Sequence, residues 1–162
     1  ISSRILFIAE GMLGDLLVMT PAIRAMKSAF PQSSISILIF QRRPYLRNLQ
    51  PTYFNESPTG GAAAIFLKNP SVSEILEVDL DSLRRLGWWS RTKAEVSIFT
   101  RLRRKHFDTV VLAPRDRFVV WAYASGAKIR VGQRRQVYHQ FLTHKPDIHK
   151  SNAGSIKYYS NL

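Results

Sequence analysis

The chain opens with an apolar run, a glycine-containing turn and a segment of helical periodicity, and this combination constrains its fold most strongly. The run spans Arg4–Ala9, the turn is Gly11–Asp15, and apolar residues then recur at helical spacing up to Phe30. Glycines let the backbone turn sharply and approach a ligand closely, and a helix N-terminus offers unpaired N–H groups. The opening therefore predicts a strand and a helix joined by a ligand-binding turn, with Asp15 as its acid.

The composition of this turn limits the ligand that it can take. Gly11 and Gly14 lack the G-x-G-x-x-G spacing of a dinucleotide site, and no Lys-Ser/Thr pair follows them as in a P-loop. A carboxylate at the turn also repels phosphate, so Asp15 is better suited to bind a hydroxyl group or to act as a general base. Without a ligand, the same residues make a tight turn in which Asp15 contributes only about 0.3–1 kcal/mol through the helix dipole.

Strand-like and helix-like segments alternate along the chain. The strand-like runs are Ser36–Phe40, Glu74–Val78 and Asp108–Ala113. A helix with one apolar face is predicted over about Thr92–Lys105, and Arg117–Ala124, which is apolar on nearly all sides, predicts a buried helix. Continuous apolar strands are typical of a sheet that is covered on both faces. The alternation therefore predicts a Rossmann-like three-layer α/β/α sandwich with a mainly parallel sheet. A length of 162 residues predicts a single domain, residues 1–162.

Two segments do not follow this simple alternation. Thr20-Pro21, inside the first helical segment, predicts a helix that restarts with Thr20 as its cap and Pro21 as its first residue. Ser82–Arg91 is expected to be an irregular, basic and aromatic excursion. Its Trp88 and Trp89 are either core residues or anchors at a lipid headgroup region, and we favour the surface role.

The charge balance of the chain predicts an anionic partner. Lys and Arg total 24 against 11 acidic residues, which gives a formal net charge of +13. Such an excess suits nucleic acid, anionic lipid headgroups or a phosphorylated substrate. The absence of cysteine excludes disulfides and thiolate metal sites, and the four histidines show no metal-ligand spacing, so no metal is expected. No apolar run approaches the roughly 20 residues of a membrane span.

Some of the basic residues follow strand-like runs directly. Arg42 and Arg43 come after the second run, and Arg115 and Arg117 come after the last one. The carboxyl ends of parallel strands meet at one edge of a sheet, where α/β proteins bind their ligands. We therefore expect these four arginines to line the cleft and contact the substrate. A second basic set lies on the helix before the last run and is expected to form a solvated face: Arg101, Arg103 and Arg104.

Several segments, in order, resemble the N-terminal domain of glycosyltransferase family 9, the ADP-heptose:lipopolysaccharide heptosyltransferases and their relatives. The matching segments are Arg4–Ile8, Leu13–Leu16, Thr20–Lys27, Phe30-Pro31, Val72–Val78, Phe107–Val111 and Ala124–Gly132. The resemblance covers most of the chain except about Gln41–Asn69. The ordered set is more specific than any one of its motifs.

The resemblance implies a GT-B enzyme, in which two Rossmann-like domains face a cleft and transfer a sugar with inversion and without a metal. Its N-terminal domain binds the acceptor, and its C-terminal domain binds a nucleotide-sugar donor such as an ADP-sugar. The chain is thus expected to be an acceptor-binding domain that lacks the donor domain, binds no cofactor and is inactive alone. Asp15 is expected to be its general base.

The same resemblance implies the partners and location of the protein. The acceptor is expected to be an anionic glycolipid like the lipopolysaccharide core, and the other partner is the donor domain of the same polypeptide. The protein is expected to be cytoplasmic and peripheral to the inner membrane, without nucleic acid.

Two other functions remain open on the residues alone. Charge permits a nucleic-acid-binding domain, although the basic residues are scattered over several loops and form no recognised motif. A Rossmann nucleotide-binding domain of another enzyme class is the second alternative. It is weakened because no acid for a ribose follows the turn by about 20 residues; the next strand ends in Phe40-Gln41.

Overall fold

A computed structural model describes residues 3–41, 54–56, 61–113, 116–133 and 138–146, with backbone only at 61–62 and 116–117. Its strands are β1 (Arg4–Glu10), β2 (Ser34–Gln41), β3 (Phe54–Asn55), β4 (Glu74–Asp79), β5 (Thr109–Leu112) and β6 (Ile129–Val131). They form one sheet in the order β3–β4–β2–β1–β5–β6. All neighbouring strands are parallel except β3, which is antiparallel to β4. The prediction of a mainly parallel α/β sheet is confirmed.

Helices cover both faces of this sheet. They are α1 (Leu13–Ala29), α2 (Leu80–Arg85), α3 (Trp88–Arg104) and α4 (Asp116–Ala124), with short 3₁₀ helices at Gly61–Ile65 and His139–Phe141. Helix α1 packs on β1, whereas α4 packs on β5, β1 and α3. Right-handed crossovers place α1 on one face and α3 and α4 on the other. The two central strands are accordingly buried on both faces, which explains why their sequences are continuously apolar.

An aromatic cluster joins the sheet to the α3–α4 layer. The Phe40 ring of β2 stacks on Phe118 with centroids 4.8 Å apart, and it meets the edge of Trp121 at 4.7 Å. Trp121 also contacts Phe99 of α3 edge-on at 4.7 Å. Such pairs add to the free energy gained by burying their large apolar surfaces. This cluster fixes α4 against the carboxyl half of the central strands.

The predicted restart of the first helix at Pro21 is wrong, because α1 runs unbroken through this residue. A proline inside a helix removes one hydrogen bond to the carbonyl four residues earlier, here that of Leu17. Both Leu17 and Pro21 lie on the exposed face of α1, so water can bond to that carbonyl. The missing hydrogen bond is therefore at a position where water can replace it at little cost in stability.

The prediction of an irregular segment over Ser82–Arg91 is also wrong. Asp79 caps α2 by accepting hydrogen bonds from the backbone N–H groups of Asp81 at 3.0 Å and Ser82 at 3.1 Å. After Gly87, helix α3 begins at Trp88, well before the expected Thr92. A side-chain cap that satisfies two otherwise unpaired N–H groups is a strong start signal for a helix.

Candidate functional site

The order of the strands reverses beside β1, and this defines the candidate site. From β1 the chain moves to β2 on one side, and it later returns to β5 on the other side. In open α/β sheets, ligands bind outside the carboxyl ends of the strands at such a switch point. Helix α1 begins three residues after the end of β1, so its N-terminus lies at this crevice.

Gly11 lets the chain leave β1 in close contact with the end of β2. Its N–H donates a hydrogen bond of 2.7 Å to the carbonyl oxygen of Phe40. A Cβ at this position would lie 2.9 Å from Gln41 Cγ and 3.2 Å from the Phe40 oxygen, which is closer than carbon atoms normally approach. The structure thus gives Gly11 a packing role; its predicted contact with substrate stays a prediction.

Gly14 stands in contrast to Gly11, because a Cβ added to it would meet no atom within 4 Å. Gly14 is exposed in the first turn of α1. The residue before this turn, Met12, has extended backbone angles and no side-chain cap. The first hydrogen bond of the helix runs from Leu16 N–H to Met12 O at 3.1 Å, so the earlier N–H groups of this turn have no acceptor within the helix.

Asp15 lies at the top of the face of α1 that packs on the sheet. Met19, Ala22 and Met26 follow it at helical spacing, and all three pack against the core. Asp15 therefore extends over the carboxyl edge of the sheet and is half-buried there. The N-terminus of a helix favours a negative charge at this position. The predicted position of Asp15 at the carboxyl edge of the sheet agrees with this geometry, while its contact with a ligand and its catalytic role stay predictions.

Glu10 is a second acid at the same edge, and the sequence interpretation did not single it out. It is the last residue of β1, pairs in register with Phe40 and is 8% exposed. Since Phe40 faces α4, Glu10 belongs to the opposite side of the sheet from Asp15. A carboxylate that ends a continuous apolar strand is the signal that could have identified it.

The structure describes little of the predicted arginine cluster. Arg42, Arg43 and Arg115 lie outside the described residues. The backbone of Arg117 lies in the first turn of α4, just after β5, and its side chain is not described. All members of the second basic set are exposed, as expected: Arg101, Arg103 and Arg104.

The outward face of α1 bounds a separate, shallow depression of about 510 Å³. The described residues that line it are Leu17, Thr20, Pro21, Arg24, Ala25 and Ser28. They occupy the opposite side of the helix from Asp15. These described lining residues include no acid that could act as a general base, so we place the candidate site at the sheet edge.

The two glycines of the turn should respond oppositely to alanine. Gly11→Ala should lower the free energy of unfolding by about 1–3 kcal/mol, because the new methyl group overlaps Gln41 and the Phe40 carbonyl. Gly14→Ala should leave it unchanged or raise it by up to about 1 kcal/mol, since alanine suits a helix and has room. Urea denaturation of the two variants checks this. Equal losses would show that the turn is packed differently.

Two further properties bear on the class of site. In the part of the chain that the structure describes, no three His, Cys, Asp or Glu side chains are grouped as metal ligands would be. None of the helices within the described ranges combines the length and the apolar character that crossing a bilayer requires.

Comparisons with known proteins identify solved structures that share this fold. The sequence matches no protein-family profile and no curated protein sequence. The structure is similar to a glycosyl transferase of family 9 from Veillonella parvula, with a TM-score of 0.70 and 19% identity over 98% of this chain and 39% of that chain. It is similar to the E. coli heptosyltransferase WaaC with ADP, with a TM-score of 0.73 and 17% identity over 98% of this chain and 46% of that chain.

A third solved structure gives the same result. E. coli ADP-heptose lps heptosyltransferase II aligns with a TM-score of 0.64 and 16% identity, over 91% of this chain and 35% of that chain. The chain thus spans less than half the length of each of these proteins. At the level of the fold, the resemblance noted from the sequence is confirmed: the chain has the α/β fold that forms part of family 9 glycosyltransferases.

Proposed function

We propose that this chain is the acceptor-binding domain of an inverting, metal-independent GT-B glycosyltransferase. The full enzyme would transfer a heptose-like sugar from a nucleotide-sugar donor to an acceptor like the lipopolysaccharide core. One observation carries the proposal: a chain with the fold of family 9 structures has Asp15 half-buried at the start of α1, at the carboxyl edge of its sheet. The chemistry of such a transfer needs a carboxylate on the acceptor side of a cleft.

The proposed reaction uses Asp15 as the general base. The acceptor hydroxyl oxygen forms a bond to the anomeric carbon while the bond from that carbon to the phosphate oxygen of the donor breaks. The hydroxyl proton passes to the Asp15 carboxylate, and the nucleotide leaves with the bonding electrons. For this transfer the carboxylate must lie within about 2.6–3.2 Å of the attacking hydroxyl. The open space beside Gly14 would let a sugar come that close.

The helix N-terminus suits Asp15 to this role. Asp15 lies in the first turn of α1, where the partial positive charge of a helix N-terminus attracts a carboxylate. The unpaired N–H groups of this turn can hold a sugar oxygen in place by hydrogen bonds. A base that is held by a long helix and by the buried residues below it is also fixed in position, which lowers the cost of aligning the acceptor.

We propose that the donor binds elsewhere in a longer polypeptide. One solved neighbour holds ADP and is covered to only 46% by this chain. A carboxylate at the turn is a poor phosphate site, so an ADP-sugar fits a second, donor-binding domain better. The protein would then work on the cytoplasmic side of the inner membrane, with an anionic glycolipid as its acceptor.

The net charge of +13 keeps one alternative open, a nucleic-acid-binding domain. That function predicts affinity for duplex DNA that falls steeply with salt concentration. A glycolipid-binding domain predicts stronger binding to an anionic sugar headgroup than to DNA at physiological salt. A salt titration with both ligands distinguishes the two functions.

Calorimetry of this chain tests the domain assignment. An anionic glycolipid headgroup should bind weakly, and an ADP-sugar should give no measurable heat. The variant in which Arg42, Arg43, Arg115 and Arg117 are all changed to Glu should bind the headgroup at least about tenfold more weakly, since one lost hydrogen bond to a charged group costs about 1.5–3 kcal/mol. Micromolar affinity for the ADP-sugar would contradict the assignment.

The control for this variant reverses four exposed cations that form no hydrogen bond or ion pair with another described residue: Arg24, Lys68, Arg104 and Lys128. Arg103 is unsuitable because its Nε donates a hydrogen bond of 2.9 Å to the carbonyl of Ala124. Arg101 lies 3.9 Å from the Glu56 carboxylate and is excluded for the same reason. Equal losses in both variants would mean that binding follows total charge and needs no cleft.

A further inference from the structure

The N-terminal part of α3 projects beyond the core of the protein. All residues from Trp88 to Lys93 are exposed, on every side of the helix. The same helix is anchored further along by Ile98 and Leu102, which are fully or almost fully buried. At 1.5 Å per residue, the projecting part is about 9 Å long. Helices of soluble proteins usually bury one face along their whole length, so this segment needs another explanation.

Two tryptophans stand on this projecting segment. Trp88 is 68% exposed and Trp89 is 70% exposed, which makes them the most exposed large hydrophobic side chains in the described ranges. Their rings contact each other, with centroids 4.1 Å apart and planes inclined by 61°. Trp121, in contrast, is 8% exposed in the core. Tryptophan combines a large apolar ring with a polar N–H and concentrates at membrane–water interfaces.

Basic residues flank this tryptophan pair in the sequence. The ten residues 84–93 include Arg84, Arg85, Arg91 and Lys93 and contain no acid. All four cations are exposed. The nearest acids flank this segment: Glu95 pairs with Arg91 at 2.9 Å, and Asp81 lies in the first turn of α2. The segment that carries the tryptophans is therefore positively charged, which complements an anionic surface.

The position of this corner relates it to the candidate site. Helix α2 follows β4 directly at its carboxyl end, and α3 starts three residues after α2 ends. Strand β4 is separated from β1 by β2 alone. The tryptophan pair and Asp15 therefore belong to the same edge of the sheet. A surface that meets the corner also lies near the crevice.

We infer that the α2–α3 corner, residues 84–93, docks on an anionic phospholipid bilayer, with Trp88 and Trp89 at the headgroup level and the four cations on lipid phosphates. The inference rests on the proposed function, because a glycolipid acceptor embedded in that bilayer would be presented to the Asp15 edge. An apolar pair within a basic border suits a bilayer better than a nucleic acid. A membrane interface rewards both features, whereas phosphate contacts alone use only the charge.

Vesicle binding tests this inference without any sugar. The chain is mixed with phosphatidylcholine vesicles that contain about one quarter phosphatidylglycerol, and with pure phosphatidylcholine vesicles. Binding is measured by flotation and by tryptophan fluorescence. We expect binding to the anionic vesicles, a blue shift of the Trp88 and Trp89 emission, and quenching by brominated acyl chains. Both signals should fall with added salt.

Two variants and their matched controls locate the surface. Trp88→Ser with Trp89→Ser should weaken vesicle binding by about tenfold or more, whereas Phe30→Ser with Leu67→Ser, also exposed, should not. Arg84→Glu with Arg85→Glu should weaken it by more than tenfold, because each Lys or Arg near an anionic membrane adds about fivefold. Its control is Arg104→Glu with Lys128→Glu, two exposed cations outside the corner. Circular dichroism confirms that each variant is folded.

Three outcomes would overturn the inference: equal losses in variant and control, equal binding to the uncharged vesicles, or binding to duplex DNA that competes with vesicles and ignores the tryptophans. These vesicles contain no glycolipid and no nucleotide sugar. A failure of vesicle binding therefore leaves the role of Asp15 standing, and a failure of the Asp15 experiment leaves the bilayer surface standing.

Discussion

Asp15→Asn, introduced into the longer polypeptide that carries the donor domain, should lower turnover by about 10²–10⁴-fold, the usual range for loss of a general base. Asparagine keeps the size and shape of the side chain but cannot accept the proton of the acceptor hydroxyl. The fold and the acceptor affinity should be preserved, because Asp15 makes no hydrogen bond or ion pair with another described residue. Single-turnover kinetics with saturating donor measures the effect on the chemical step.

Glu10→Gln is the matched control for this experiment. Glu10 is the other acid at the end of β1, but it is buried and belongs to the opposite side of the sheet. If Asp15 is the base, the Glu10 variant should keep turnover within about tenfold of the unmodified enzyme. Near-normal turnover of Asp15→Asn, together with a large loss for Glu10→Gln, would transfer the role of base to Glu10. Near-normal turnover of both would place the base outside this turn.

Phe40→Ala should be the most damaging single truncation in the core, lowering the free energy of unfolding by about 3–5 kcal/mol. Phe40 is fully buried, and its ring contacts Phe118 and Trp121 on α4. Its loss leaves a cavity between the sheet and α4 that neither rigid layer can fill. Urea denaturation, followed by far-ultraviolet circular dichroism, measures the change.

The same substitution at Phe30 provides the control. Phe30 is 52% exposed at the C-terminal end of α1, so Phe30→Ala should cost less than about 1 kcal/mol. Similar losses at the two positions would mean that the β2–α4 contact contributes little. Because α4 follows the strand end where Arg115 and Arg117 are expected to act, a loosened α4 should also weaken binding of the acceptor.

The alternation of strands and helices could be predicted because a strand that is buried on both faces consists of a run of apolar residues, which is visible in the sequence. The central strands are continuously apolar where helices cover them, as in β1 and β2. The predictions were wrong where the same local sequence is compatible with two different structures. Pro21 is compatible with a new helix or with an unbroken helix whose outer face is hydrated, and Asp79 caps a helix in a segment that is too polar to show helical periodicity.

At the candidate site, too, some features are visible in the local sequence and others depend on tertiary contacts. That Asp15 follows a strand and starts a helix is visible in the sequence, because glycines and helical periodicity are local signals. Helix α4, which packs on the strand β1 that Glu10 ends, lies more than 100 residues further along the chain. The sequence marks Glu10 only as a carboxylate at the end of an apolar strand, and no local pattern shows which helix packs on that strand.

The sequence by itself thus determined the strand–turn–helix at Asp15, the parallel sheet and the excess positive charge. These follow from residue types whose effects reach only a few neighbours along the chain. Only the tertiary structure decided the rest. It made Gly11 a packing residue and left Gly14 open, and it exposed Trp88 and Trp89 while burying Trp121. The physical reason is that burial is set by which elements meet across the sheet, and crossovers bring together residues that are distant in sequence.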